Sequence, residues 1–118
     1  VNKDARLGDL VKVIAKSKRN VFPVVDDAGI FYGVVHLNDI RHVIFDPDLY
    51  EEVKVTSLMN APMTTATMND SMEQIVEKFQ KTPHYNIVVL DEGKYIGFVS
   101  RAKVFSKYRN MLKEFSED

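Results

Sequence analysis

The chain has 118 residues, a mass of 13.5 kDa and a formal net charge of −1, from 16 lysines and arginines against 17 acids. This length predicts one domain or two very small ones. The near-neutral charge argues against a nucleic-acid binder, which would need a basic excess to neutralise phosphates. Because cysteine is absent, disulfides, thiolate zinc sites and thiol nucleophiles are excluded.

The apolar runs and the start of the chain show neither a membrane-spanning segment nor a signal peptide. No apolar run approaches the roughly 20 residues that a membrane-spanning helix needs, and the polar start of the chain is unlike a signal peptide. The first residue is Val1 rather than methionine. We therefore expect the chain to be a soluble piece of a longer protein.

The first half of the chain predicts a helix, a hairpin and a second helix. Apolar residues at helical spacing between Leu7 and Ile14 indicate an amphipathic helix. β-rich runs at 21–25 and 30–35, joined by an Asp-Asp-Ala-Gly turn, indicate two strands of a hairpin. A second helix is expected near Leu37. No strand is expected ahead of the first helix, because the chain begins there.

The second half repeats this order behind a connecting segment, residues 46–62, which is bounded by prolines. The predicted elements are a strand at 63–66, a helix from Ser71, strands at 86–90 and 94–99, and a helix from Arg101. An acceptor side chain at Asp70 or Ser71 is expected to cap the third helix.

An internal repeat accounts for this order. Residues 21–40 and 85–104 align at an offset of 64, with identical residues at six of 20 positions. The helices ahead of them align at an offset of 65, so we expect one residue to be inserted or lost between the helix and the first strand. Gly33 and Gly97 lie inside the second strands, where glycine is typical of a bulge or a close backbone approach.

We therefore predict an α+β fold in which two strand-strand-helix repeats pack sheet to sheet with their helices outside. About 50 residues bury too little surface to be secure alone, so the repeats are expected to pair and to leave clefts at their interface. The predicted domains are repeat 1 at 1–45 without its lead strand, a linker at 46–62, repeat 2 at 63–108, and a helix end and tail at 109–118.

These motifs resemble a known family. Residues 22–26 (FPVVD) followed by 33–40 (GVVHLNDI) resemble the CBS domain, and two such repeats in tandem resemble a Bateman module. Within that family, residues 37–41, 57–59 and 94–100 are similar to the cytosolic C-terminal region of ClC chloride channels and transporters.

The resemblance implies a regulatory module that binds ATP, ADP or AMP in the clefts between repeats and requires no cofactor. In the family, the Asp of an S/T-x-x-D segment holds the ribose, the first strand holds the base, and hydroxyls and helix N-termini hold phosphate. The implied first site is formed by Val21, Phe22, Pro23, His36 and Asp39. The implied second site is formed by Thr65, Tyr85, Asn86, Ser100 and Lys103.

Both implied sites depart from the family pattern. His36 stands where a hydroxyl is expected, and Lys103 replaces the ribose-binding Asp, although a lysine can still meet a phosphate. In this alignment Ile87 takes the place of Pro23. Asp39 also has a second interpretation, as a helix first-turn acid that the helix dipole stabilises.

Other side chains have alternative interpretations. Tyr85 either stacks on a base or is buried against the hairpin, and the five methionines are expected to fill the cores. Residues 26–52 carry seven acids and one cation, whereas residues 101–113 carry five cations and no acid. These charges predict either solvated faces or a docking surface for a partner.

The sequence shows no nucleophile–base pair, P-loop or dinucleotide motif, so it predicts a regulatory module rather than an enzyme. The expected role is regulation of a ClC-type chloride channel or transporter on the cytoplasmic side of its membrane. The expected partners are the parent's transport domain and a second copy, which would cover Phe105, Tyr108, Leu112 and Phe115 on the last helix. Two alternatives are a ligand-free assembly module and a CBS pair from another transporter or an enzyme.

Overall fold

The computed structural model describes the backbone of residues 1–116 and the side chains of residues 1–109. The chain divides into two compact units, unit 1 from Val1 to Pro62 and unit 2 from Met63 onward. Unit 1 contains α1 (Leu7–Ala15), β1 (Val21–Val25), β2 (Phe31–His36) and α2 (Leu37–Ile44). Unit 2 contains β3 (Thr65–Thr67), α3 (Met72–Gln80), β4 (Asn86–Asp91), β5 (Lys94–Ser100) and α4 (Arg101–Ser116). The α+β class predicted from the sequence is confirmed.

The core of unit 1 lies between its hairpin and its helices. β1 and β2 are antiparallel, and their alternating side chains place one face of the hairpin inward. The buried members of this core come from α1, the hairpin, α2 and the segment that follows them: Leu10, Phe22, Val24, Val35, Ile40 and Val55.

The core of unit 2 is built in the same way on a three-stranded sheet of order β3-β4-β5. β3 is parallel to β4, and β5 is antiparallel to it. Its buried members come from β3, α3, β4 and α4, and they are Ala66, Val76, Phe79, Ile87 and Val104.

Unit 1 has a lead segment that the sequence did not predict. Asn2 forms a parallel bridge with Val25, and the N–H of Lys3 donates to the Val25 carbonyl at 2.8 Å. β3 pairs with β4 in the same sense, with Thr67 opposite Leu90. The prediction that repeat 1 lacks this element is therefore wrong, because the first residues of the chain occupy the lead-strand position.

The hydrogen bonds also correct the alignment of the repeats. The Asp4 N–H donates to the Asn2 side chain as the Asn69 N–H donates to Thr67, an offset of 65. The strand registers continue this offset, because Val24 faces Gly33 as Val89 faces Gly97. The one-residue difference therefore lies in the hairpin turn, and the predicted position between helix and strand is wrong.

The two turns explain that difference. Asp26 and Ile30 close the first turn through a main-chain hydrogen bond, and three residues lie between them. Asp91 pairs with Lys94 across only Glu92 and Gly93, both of which have positive φ. A two-residue hairpin turn of this kind needs positive φ at both central positions.

The predicted glycine features are confirmed at both positions. Each hairpin has a register shift beside its strand glycine. A Cβ at Gly33 would also lie 3.0 Å from the main-chain oxygen of Asn60, whereas a Cβ at Gly97 would meet nothing within 4 Å. Gly33 therefore marks a bulge and a close backbone approach, and Gly97 marks a bulge alone.

The connecting segment 46–62 packs as part of unit 1. The Leu7 N–H donates to the Val53 carbonyl at 2.8 Å, and the Val55 N–H donates to the Ala5 carbonyl at 3.0 Å. Val34 and Asn60 exchange two main-chain hydrogen bonds on the free side of β2. This segment therefore completes both the core and the edge of the first hairpin.

The start of α3 is fixed by its own side chains. The Ser71 hydroxyl accepts from the Gln74 N–H at 3.1 Å, and the Gln74 side chain accepts from the Ser71 N–H at 2.7 Å. This reciprocal pair is a capping box, and it confirms Ser71 as the cap.

Two expectations about apolar side chains need correction. Met63 and Met68 are 69% and 67% exposed, so they are not core residues, whereas Met59 and Met72 pack against the cores. Phe105 and Tyr108 pack against the core of unit 2 itself. Leu112 and Phe115, the other residues of the predicted dimer face, lie outside the side chains that the structure describes, as does Met111.

Across the described part of the chain, no helix is long and apolar enough to cross a membrane.

Candidate functional site

The first predicted site lies at one end of the hairpin of unit 1. Val21, the first residue of β1, pairs with His36, the last residue of β2. α2 begins directly after His36, and the Leu37 N–H donates to the Asn20 carbonyl at 2.8 Å. Asp39 is exposed in the first turn of α2. The structure therefore brings Val21, His36 and Asp39 to the same end of unit 1.

The other two residues of this site point in different directions. Phe22 is 4% exposed and belongs to the core of unit 1, whereas Val21 and Pro23 are half-buried. Because side chains alternate along a strand, Val21 and Pro23 share the face opposite Phe22. Only the backbone of Phe22 is therefore placed to line a site with its two neighbours.

The N-terminus of α2 adds an electrostatic feature to this end. No side chain caps its first turn, and Asp39 is the acid in that turn. The free N–H groups at a helix start favour anions, and a first-turn carboxylate partly satisfies that preference. A ligand hydroxyl that donates to Asp39 and a ligand anion near the amides would both suit this arrangement.

The second predicted site is spread over a wider area of unit 2. Asn86 pairs with Ser100 as Val21 pairs with His36, and both are near the start of α4. Thr65 lies on β3 opposite Val88, and its carbonyl accepts from the Lys78 ammonium at 2.7 Å. Tyr85 is 76% exposed, so the interpretation that it is buried against the hairpin is wrong.

The corrected alignment changes which residues of the two sites correspond. At the offset of 65 that the strand registers give, Asn86 takes the place of Val21, and Val88 rather than Ile87 takes the place of Pro23. Ile87 instead corresponds to Phe22, and both are buried in their own cores. The apolar character of the first strand is therefore kept in unit 2, except at its exposed first residue.

Ser100 and Lys103 line a shallow depression of about 260 Å³ in unit 2. The Lys103 N–H donates to the Ser100 hydroxyl at 3.5 Å, so the hydroxyl faces the first turn of α4. Thr65, Tyr85 and Asn86 do not line this depression. The structure therefore divides the second predicted site into two groups.

Arg101 is a residue of this region that the sequence analysis missed. Its guanidinium donates to the carbonyls of Phe79 and Thr82, both at 2.6 Å, and lies 5.6 Å from the Phe79 ring centre. The guanidinium also lies 5.9 Å from the ring centre of Tyr85. The main-chain N–H of Arg101 donates to the Tyr85 carbonyl. The sequence shows only that an arginine stands where repeat 1 has Leu37.

An ion pair fixes β3 to α3 on the other side of unit 2. The Lys78 ammonium lies 2.5 Å from the Asp70 carboxylate, which also accepts from the N–H and hydroxyl of Thr67. The hydrogen bond from Lys78 holds the pKa of Asp70 below its usual value. The charged groups of both side chains are occupied by these contacts, so they stabilise the fold rather than form a ligand site.

The sequence comparison identifies the family to which this architecture belongs. A family model described as the CBS domain matches residues 1–46 and again residues 55–110. The chain therefore belongs to the CBS-domain family and contains two CBS domains. No curated protein sequence matches it.

Solved structures share the fold at low sequence identity. The CBS pair of a putative Mg²⁺ transporter from Shewanella oneidensis has a TM-score of 0.77 at 18% identity, over 95% of this chain and 64% of that one. The CBS domain of a bacterial CNNM/CorC Mg²⁺ transporter in complex with ATP has a TM-score of 0.72 at 21% identity, over 88% of this chain and 73% of that one. CBSX2 in complex with AMP has a TM-score of 0.75 at 22% identity, over 94% of this chain and 87% of that one.

Proposed function

We propose that this CBS pair is a regulatory module of a membrane transporter and that its ligand is an adenine nucleotide. The observation that carries the proposal is that Val21, His36 and Asp39 lie at one corner of unit 1, where α2 begins. Two structures of the same fold were solved with ATP and with AMP, and two belong to Mg²⁺ transporters, which supports the proposal.

The proposed binding uses the groups of that corner. The Asp39 carboxylate accepts from the ribose hydroxyls, and hydrogen bonds to a charged group of this kind contribute roughly 1.5–3 kcal/mol each. The backbone of β1 and the half-buried side chains of Val21 and Pro23 hold the base. The amides at the start of α2 favour the phosphates.

Regulation follows from linkage. A nucleotide that binds one arrangement of the module better than another shifts the attached transport domain by that difference in affinity. Because unit 2 has Lys103 where unit 1 has Asp39, the two sites cannot hold ribose alike. The proposal therefore assigns one ribose-binding site to the chain.

The finer proposal is that the parent is a ClC-type chloride channel or transporter, with this module on the cytoplasmic side of the membrane. Its support is the similarity of residues 37–41, 57–59 and 94–100 to that group. A CBS pair of another transporter fits the same fold. Sequencing the parent upstream of Val1 and measuring nucleotide-dependent chloride flux through it would decide between the two.

Self-association is a separate proposal. Phe105 and Tyr108 are already used by the core of unit 2, so the support for a dimer now comes from Leu112 and Phe115 in the sequence alone. Analytical ultracentrifugation of the chain tests it, and a monomer mass at high concentration would contradict it.

Thermal unfolding with and without ATP, ADP or AMP tests the nucleotide proposal. At 100 times the dissociation constant, binding adds about 2.7 kcal/mol, which corresponds to roughly 10 °C in Tm for a chain of this size. Asp39→Ala should lose this shift, and Asp48→Ala, which removes another exposed acid of unit 1, should keep it.

Two outcomes would contradict parts of the proposal. If no nucleotide at millimolar concentration moves the Tm, the chain is a ligand-free assembly module, an alternative that the departures at His36 and Lys103 favour. If Asp39→Ala binds as tightly as the unmodified chain, the assigned site is wrong even though a nucleotide binds.

A further inference from the structure

Over residues 101–109, the outer face of α4 is basic and carries no acid. Ala102, Lys103, Ser106, Lys107 and Arg109 are exposed, and at 3.6 residues per turn they span an arc of about 160°. The opposite side of the helix packs against the core of unit 2. Residues 101–109 contain no aspartate or glutamate, so no charge on this part of the helix offsets the three exposed cations.

The depression described above adjoins this face. Its apolar wall includes Met72, Ile75 and Val104, while Ser100, Lys103 and Lys107 supply the polar groups. Lys103 and Lys107 are one helical turn apart, so their ammonium groups are neighbours on the same side of α4. None of the residues that line the depression has a carboxylate.

Other lysines of unit 2 show what a compensated charge looks like. Lys78 pairs with Asp70 at 2.5 Å, and Lys81 pairs with Glu77 at 3.3 Å. Within residues 1–109, neither Lys103 nor Lys107 has an acidic partner. The positive charge next to the apolar depression is therefore open to an anion from outside the described chain.

Unit 1 does not repeat this surface. At the offset of 64 that relates α2 to α4, Asp39 takes the place of Lys103 and Val43 takes the place of Lys107. The combination of two cations and an apolar depression is thus specific to unit 2. It is not a consequence of the shared fold.

We propose that this face of unit 2 docks on a membrane that contains anionic phospholipid. Lys103 and Lys107 contact the lipid phosphates, Arg109 adds to the attraction, and the apolar depression receives part of a lipid. A volume of about 260 Å³ is smaller than the roughly 300–1,000 Å³ of pockets that enclose a ligand, which favours a partly inserted group over a buried one. The proposal rests on the proposed function in one respect, the membrane-bound parent.

Vesicle co-sedimentation of the chain tests the proposal. We expect binding to vesicles of phosphatidylcholine and phosphatidylglycerol in equal parts, and none to phosphatidylcholine alone. A lysine near an anionic surface contributes about 1 kcal/mol, so Lys103→Gln with Lys107→Gln should weaken binding roughly 30-fold. The control pair Lys16→Gln with Lys18→Gln removes the same charge from exposed positions in unit 1 and should change binding less than threefold.

Four results would overturn the proposal. They are no binding to the anionic vesicles, equal losses in the two double variants, displacement by inorganic phosphate at constant ionic strength, and a Lys103/Lys107 variant that is monomeric where the unmodified chain is a dimer without lipid. The third would show a site for free phosphate, and the fourth a face covered by a second copy.

The nucleotide-induced shift in Tm is measured without lipid, so the two proposals can fail separately. A chain that binds anionic vesicles but shows no shift would retain this surface and lose the proposed ligand. A chain that shows the shift but ignores the vesicles would retain the ligand and lose the surface.

Discussion

Unit 1 and unit 2 share one order of elements but are held together by different groups. In unit 1 the connecting segment supplies Val55 to the core and Asn60 to the edge of β2. In unit 2 two cations connect the elements instead. Lys78 links α3 to β3, and Arg101 links the start of α4 to the end of α3. The same order of elements is therefore stabilised by different contacts in the two units.

The comparison separates what the fold requires from what each repeat adds. Local main-chain patterns recur at fixed offsets, as when the Lys16 N–H bonds to Val13 and the Lys81 N–H bonds to Lys78, both at 3.1 Å. Side chains at the ends of the strands differ, with Asp39 in one unit and Lys103 in the other. Ligand chemistry can therefore diverge between the repeats without a change in their cores.

The largest expected effect is a loss of stability in the variant Arg101→Leu, which gives unit 2 the residue that unit 1 has at Leu37. It removes the hydrogen bonds to the Phe79 and Thr82 carbonyls, which are worth roughly 1.5–3 kcal/mol each because the donor is charged. Within the described residues, the buried Nε of Arg101 has no hydrogen-bond partner. The variant removes this unsatisfied group and its desolvation penalty, which offsets part of the lost stability. We expect a net loss of about 3 kcal/mol in urea unfolding.

The control for this change is Arg109→Leu, at an exposed position of the same helix. Surface substitutions of this kind usually stay within about 0.5 kcal/mol. Equal losses in the two variants would show that Arg101 acts through general charge and not through the two carbonyls.

A smaller effect of opposite sign in the two repeats is expected from the strand glycines. Gly33→Ala brings a Cβ to 3.0 Å from the Asn60 main-chain oxygen, and such overpacking typically costs about 1–3 kcal/mol. Gly97→Ala meets nothing within 4 Å at a position without positive φ, so it should stabilise the chain by about 0.4–1 kcal/mol. Denaturant midpoints of both variants give the comparison, and losses of the same size would refute the assigned role of Asn60.

These glycines also show how much of the fold could be predicted. Periodic apolar positions and Asp/Gly turns gave every helix and hairpin strand to within a residue or two, and the glycines gave the bulges. Residue identity could not reveal that Asn60 approaches Gly33, because that contact depends on where the connecting segment returns. The lead segment at Asn2 was missed for the same reason, since one bridge leaves no periodic pattern.

The sites were predicted less completely than the fold. Alignment by identical residues at an offset of 64 makes Val88 the counterpart of Val24 in the second repeat. The strand registers instead make Val89 the counterpart, because Val24 lies opposite Gly33 and Val89 lies opposite Gly97. A run of similar valines allows a one-residue slip that only the ladder resolves. Arg101 was passed over because a cation next to a strand end looks the same in sequence whether it is solvated or bound to carbonyls.

The smallest expected effect is the pH dependence of the ion pair that only unit 2 possesses. The Lys78 hydrogen bond holds the pKa of Asp70 in the folded chain below the ordinary value of an aspartate. A carboxyl with a lowered folded pKa stabilises the chain above its unfolded pKa, and this contribution is lost as the pH falls through the folded value. Unfolding measured from neutral pH down to a pH below the ordinary pKa of an aspartate should therefore show a loss that Asp70→Asn lacks.

Solvent limits the size of this effect, because the Lys78 side chain is 30% exposed and that of Asp70 is 14% exposed. We expect less than about 1 kcal/mol at neutral pH, the range of partly solvated pairs. Lys78→Met should remove the same pH dependence, whereas Asp48→Asn in unit 1 should leave it in place. If Asp70→Asn and the unmodified chain lost stability in parallel through this range, the pair would be a contact without a net contribution, and Arg101 alone would distinguish how unit 2 is held together.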